Sequence, residues 1–211
     1  MKLRLLHCLK GASGADEMLN DLSSTLSLLK TRRSGRPRDM IEPGPNSDQL
    51  RQILEIAIRV PDHGKLAPWR FVHVPKERRA ALAELLHGAF RRTNPEPTRL
   101  ELEGVDRLAN QAPTLVVALS SPVEGTKIPM WEQELSCGAA CMNLLIATHA
   151  MGFTAGWITG WPCYSEEVRQ AFGREKEREV GFIYIGSPGY PLEERQRPDF
   201  QDVVSEWLPP A

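Results

Sequence analysis

Cysteine is scarce: four in 211 residues, at positions 8, 137, 141 and 163. Four cannot form a disulfide framework for a chain this long, and reduced thiols point to a cytoplasmic protein. Long apolar runs are missing too. A stretch such as Leu115–Leu119 falls far short of the roughly 20 residues that span a bilayer, so no membrane segment is expected. Arg4, His7 and Lys10 interrupt the leucines of the N-terminus, which argues against a signal peptide. There is no excess of one charge: 26 Lys and Arg against 27 Asp and Glu leave a net charge of −1. No global field therefore draws the chain to nucleic acid or to an anionic membrane. G-x-G-x-x-G, the Walker loop and H-E-x-x-H are absent, and so is the G-x-S-x-G of a hydrolase nucleophile.

What is present is ordinary globular composition, 41% hydrophobic and 25% charged. The length suits one domain, read as 18–211 behind a flexible N-terminal extension, 1–17. Leu19, Leu22, Leu26 and Leu29 predict a helix from Asp16 to Arg33. Asn46 or Ser47 caps a second helix with Leu50, Ile53, Leu54 and Ala57 on one face, ending before Pro61. Further helices are predicted over Lys76–Phe90, Pro95–Asn110, Trp131–Ala150 and Glu166–Phe172, and strands over Trp69–Val74, Pro113–Ser120, Ala155–Thr159 and Val180–Ile185. Helices outnumber strands without strict alternation, which predicts an α+β fold. The tail from Arg195 is polar except for Phe200, Val203, Val204 and Trp207. Those apolar groups predict an extended arm that lies on a partner subunit and adds to its sheet edge; a frayed terminus is the alternative.

Four constellations could carry chemistry. Lys30, Arg32, Arg33, Arg36 and Arg38 place five cations in nine residues around Ser34. Guanidinium forks and a hydroxyl suit a phosphate, although cations at a helix C-terminus also simply offset its dipole. Arg59, Asp62, His63 and Lys65 project from a loop stiffened by Pro61, Gly64 and Pro68. Such a loop could carry function, including an Asp–His pair, or could be a surface turn anchored by Pro68–Trp69. Trp131–Asn143 is rich in small residues that admit a close backbone. Its Cys137 and Cys141 have no second pair nearby, so no metal site is expected. Gly152–Trp161 sets small residues around aromatics, which suits either a flat ligand or a tightly packed strand.

The order of these motifs resembles the nitroreductase family, most closely its short bacterial NAD(P)H nitroreductases, over about Leu19 to Ser187. The matching pieces are Thr31–Ser34, Arg59–His63 with Ala67–Phe71, Trp131–Ser136 and Val180–Gly186. The resemblance implies a central mixed, mostly antiparallel sheet flanked by helices, with the C-terminal arm swapped onto the partner. It implies FMN as cofactor, NAD(P)H as electron donor and a small acceptor such as a nitroaromatic or quinone, in a homodimer with FMN at the interface. It assigns FMN contacts to Arg32, Arg33, Ser34, Arg59, His63, Trp157, Ile158 and Thr159, with Arg59 and His63 presented to the flavin of the other subunit. It associates Ala147, Thr148, His149, Ala150, Met151 and Gly152 with the nicotinamide nucleotide. The flavin carries the chemistry, with Lys65 as electrostatic support. Ile158 stands where relatives often carry Arg, and Ala67 where they often carry Gln or Asn. A flavin enzyme with another acceptor, such as a reductive dehalogenase or an oxidase, and a flavin-binding protein without turnover are the alternatives.

Overall fold

In the computed structural model of the protein, the structure describes residues 18–210; the N-terminal extension predicted for 1–17 lies outside the described residues. Five strands form one sheet, and every pairing in it is antiparallel. β5 (Arg178–Pro188) is its centre. It pairs with β3 (Thr114–Ser120), with β4 (Thr154–Ile158) and, at its C-terminal end, with the short β1 (Met40–Ile41). β2 (Trp69–Val74) pairs with β3 alone and leaves one edge open. β3 is buried at all seven positions, which explains its continuous apolar run rather than an alternating one.

Helices cover both faces, so the expected α+β architecture holds. On one side α3 (Arg79–Thr93), α4 (Arg99–Asn110) and α6 (Glu166–Phe172) pack Leu82, Leu86, Val105 and Val168 against Leu115, Val117, Phe182 and Tyr184. On the other, α2 (Ser47–Ala57) and α5 (Met130–Ala150) bring Leu50, Ile53, Cys141 and Leu144 onto Val116, Ala118, Ile183 and Ile185. Alternate residues of one strand thus serve two cores. α2 and α4 each start in a capping box, Asn46 with Gln49 and Thr98 with Glu101. α4 therefore begins after Thr98 rather than at Pro95.

The first helix departs most from expectation. α1 spans only Thr25–Thr31, capped by Ser24. Asp16, the predicted cap, lies outside the described residues. The segment before Ser24 folds back along the helix. Asn20 exchanges hydrogen bonds with the Arg33 backbone, and its N–H donates to the Thr31 carbonyl at 3.0 Å. Leu28 and Thr31 are the buried residues, whereas Leu22, Leu26 and Leu29 are exposed. After β5 the tail runs exposed, with one short helical turn, α7 (Phe200–Val203).

Candidate functional site

α1 ends where the cation cluster begins. Gly35 then lies on β4, its N–H donating to the Ala155 carbonyl at 3.0 Å. Gly156 permits this approach, since a Cβ there would stand 2.6 Å from the Gly35 carbonyl oxygen. Arg32, Arg33 and Ser34 are half-buried, and the Arg32 Nη1 donates to Ser34 Oγ at 3.2 Å. The C-terminal arm returns across this motif. Arg33 Nε donates to the Glu193 carbonyl at 2.7 Å, and Arg197 Nη2 donates to the Arg32 carbonyl at 3.3 Å.

Arg197 and Arg195 were read from sequence only as tail polarity. Their Arg-x-Arg spacing was the available signal, but nothing local shows that the tail folds back. Burial, then the guanidiniums of Arg197, Arg33 and Arg195, push the Arg32 pKa below its usual value. Glu193 and Glu194 partly offset this positive ground. Glu193 pairs with Arg36 at 3.1 Å and Glu194 with Arg197 at 3.0 Å, all four side chains being substantially exposed.

Two adjoining cavities open beside the cluster. One, of about 430 Å³, is lined by Arg33, Ser34, Arg36 and the Pro191–Glu193 stretch. The other, of about 680 Å³, is lined by His149, Gly152, Phe153, Leu19 and Leu22; Thr154, Pro188 and Tyr190–Leu192 line both. Two buried polar atoms at these walls, His149 Nε2 and Thr154 Oγ1, have no hydrogen-bond partner among the described residues. Converging guanidiniums, a serine hydroxyl and orphan acceptors fit a phosphorylated, hydroxylated ligand.

His149 stands at the C-terminal end of α5, which Gly152 closes with φ 83°. Within the predicted nucleotide stretch, Ala147, Thr148 and His149 are buried, and Thr148 spends its hydroxyl on the Leu144 carbonyl. Ala150 and Gly152 are exposed and Met151 half-buried. Along β4 the Trp157 indole N–H donates to the Val180 carbonyl at 2.8 Å, and Ile158 packs on the α3–α4 core. Only Thr159 of that trio is exposed.

The Arg59–Lys65 loop lies elsewhere. Asn143 on α5 donates to the Ile56 and Arg59 carbonyls, and Ser136, two turns nearer the helix start, to the Pro61 carbonyl, so the loop runs along α5 from Asn143 toward its N-terminus. His63 Nδ1 meets the Glu132 carboxylate at 2.7 Å. Asp62 instead accepts from the Leu66 and Ala67 N–H groups. The Asp–His pair considered from sequence is therefore not formed, because Asp62 is used in closing its own turn. Arg59, His63 and Lys65 are all exposed. Glu132 and His149 are seventeen residues apart on one helix, about 26 Å at 1.5 Å per residue. The arginine cluster and His63 thus sit near opposite ends of α5.

Among the described residues no cluster of metal-ligating side chains occurs. Cys137 and Cys141 are buried free thiols in the core between α5 and the sheet. No described helix is long and apolar enough to cross a membrane.

A family model described as "Nitroreductase family" matches residues 29–187. The chain is 36% identical over 168 residues to the Escherichia coli K12 protein named "Putative NAD(P)H nitroreductase YdjA", covering 77% of this chain and 87% of that one. Its fold matches a nitroreductase-like family protein of Bacillus cereus with a TM-score of 0.72 at 20% identity, over 87% of this chain and 96% of the other. It also matches a nitroreductase with bound FMN from Bacteroides fragilis, with a TM-score of 0.65 at 24% identity, over 87% of this chain and all of the other.

Proposed function

The chain belongs to the nitroreductase family, and we propose that it is an FMN-dependent oxidoreductase passing electrons from NAD(P)H to a small acceptor of the nitroaromatic or quinone class. Bound FMN supplies the hydride chemistry, and the protein supplies position and electrostatics. Arg32, Arg33, Arg195 and Arg197 hold the phosphate, with Ser34 adding a short hydrogen bond. No side-chain nucleophile or general base is required.

The single observation that supports this reading is that the arginine cluster and the His63–Glu132 contact lie near opposite ends of α5. One flavin cannot reach both in one chain, so a second copy completes the site. The outer face of α5 supports this. Leu135 is exposed, Ala139, Met142 and Ile146 are only half-buried, and a Cβ on Gly138 would meet nothing within 4 Å. Two copies of α5 crossing antiparallel near Ala139–Met142 bring the Arg59–His63 loop of each to the arginine cluster of the other. Lys65, on the same loop, then supplies positive charge near the flavin ring.

The tail fits the same dimer. Phe200, Val203, Val204, Trp207 and Leu208 are exposed within their own chain. The open edge of β2 borders a groove of about 580 Å³ with Leu50, Leu54, Ile58, Trp69 and Phe71 in its walls. The arm of one copy lies in that groove of the other, adding main-chain hydrogen bonds to the free edge.

The test is direct. The purified protein is expected to be yellow, dimeric by light scattering, with one FMN per chain, and to bleach on anaerobic addition of NADPH or NADH. A colourless protein that takes up no added FMN overturns the reading, and a monomer holding stoichiometric FMN overturns its two-chain site.

A further inference from the structure

The sequence resemblance associates His149 with the exchangeable nicotinamide nucleotide. Its surroundings describe a different task. The ring is 1% exposed. Its Nδ1 faces the Phe153 carbonyl at 3.2 Å, and a carbonyl only accepts, so Nδ1 carries the proton. Nε2 is then a bare lone pair, buried and without a partner among the described residues, in a residue that lines the larger cavity. Thr154 Oγ1, in a residue 3% exposed that lines the same cavity, is likewise unpartnered among the described residues. Two orphan groups in residues lining one cavity ask for a ligand there.

The chemistry of the pair selects the ligand group. A phosphate dianion offers no hydrogen to donate, so a bare imidazole nitrogen does not face it. The nearby arginines already serve that charge. Their presence also keeps the imidazole neutral: burial first, and then the Arg32 cation, hold the His149 pKa down to about 4 against the opposing pull of the Phe153 carbonyl. A neutral acceptor beside a threonine hydroxyl is matched by alcohol O–H groups. The position selects the resident cofactor: the cavity beside His149 adjoins the arginine pocket and shares Thr154, Pro188 and Tyr190–Leu192 with it, so a stem anchored there by its phosphate passes His149.

We propose that His149 and Thr154 bind the hydroxylated stem that joins the phosphate of the resident cofactor to its ring, with His149 Nε2 accepting from a stem hydroxyl. This deepens the FMN reading and rests on it. His149 is a cofactor-positioning residue and takes no proton in the reaction.

The experiment is a flavin titration of the full-length protein freed of cofactor, read by quenching of flavin fluorescence. FMN and riboflavin, which share the stem and differ in the phosphate, are the two probes. His149→Phe keeps a flat ring and removes the acceptor, His149→Gln returns one, and Thr154→Val removes the hydroxyl at nearly constant shape. Loss of one hydrogen bond predicts about a tenfold weakening for His149→Phe. It should fall equally on FMN and riboflavin, with recovery of most of the affinity in His149→Gln. Thr154→Val, which keeps the proposal testable if His149→Phe does not fold, should weaken both ligands severalfold. Affinities equal to wild type in all variants overturn the proposal, as does a loss confined to FMN. A wild-type protein that binds neither flavin overturns the FMN reading itself, which is a distinguishable result.

Discussion

Arg32 and Arg33 illustrate how one residue's meaning depends on its surroundings. As a charge pattern they could equally have offset the dipole of α1. They instead meet Arg195 and Arg197, and such convergence costs free energy unless an anion joins it. Arg32→Ala or Arg33→Ala is expected to weaken FMN binding by one to two decades, about 1.5 to 3 kcal/mol per charge-assisted contact. Turnover of the flavin-loaded enzyme should change less; titration beside steady-state kinetics separates the two. Arg70 and Glu177 show the opposite case, a charge pair that is purely structural. Arg70 Nη2 meets Glu177 Oε2 at 2.6 Å, with the carboxylate side chain only 3% exposed. The guanidinium holds the Glu177 pKa down to about 2 from its ordinary 4.5. A depressed folded-state pKa contributes stability that is complete above the unfolded value and is lost as pH falls through the folded one. Melting temperature should therefore fall between about pH 4.5 and 2, and Glu177→Gln should flatten that part of the profile while costing on the order of 3 kcal/mol at neutral pH.

At the scale of elements, β4 has two jobs. It pairs with β5, and it carries the Ser34–Arg36 segment on its other side through the Gly35–Ala155 hydrogen bond. Gly156 makes room for this, and the obstacle to a side chain there is backbone, which cannot rotate away. Gly156→Ala is expected to cost about 1 to 3 kcal/mol by overpacking and to weaken FMN binding by shifting the arginine motif. A thermal melt and a flavin titration on the same variant check both; an unchanged flavin affinity would show that the motif is held elsewhere. Gly156 is thus explained by chain packing, one of the two readings the sequence left open, whereas Gly152 serves to close α5.

For the whole molecule, the question is what covers the exposed face of α5, the groove along β2 and the apolar tail. The proposed dimer would cover all three. Truncation after Arg197 keeps both arm arginines and removes only Pro198–Ala211. The shortened protein is expected to dissociate at micromolar concentration in light scattering, to melt lower, and to release FMN although every phosphate contact of its own chain survives. Retention of dimer and melting temperature would show that the arm ends unattached.

Local chemistry made most of the elements readable. Asn46 with Gln49, Ser165 at the start of α6, Gly152 at the end of α5 and the unbroken apolar run of β3 each act within a few residues, so spacing alone reveals them. The cation motif and the His63 loop were also visible as candidates, because their residue types are unusual in combination. Their placement was not. α1 stops at Ser24 because Asn20 bonds to Arg33, a contact thirteen residues away. His63 takes Glu132 rather than Asp62, sixty-nine residues away, and Arg197 reaches Arg32 from 165 residues away. A sequence pattern determines which groups a segment offers to its neighbours. Which groups meet is decided when β5 threads between β3 and β4, laying the arm over the arginines and leaving His63 at the far end of α5, because chain separation carries no information about distance once the sheet has closed.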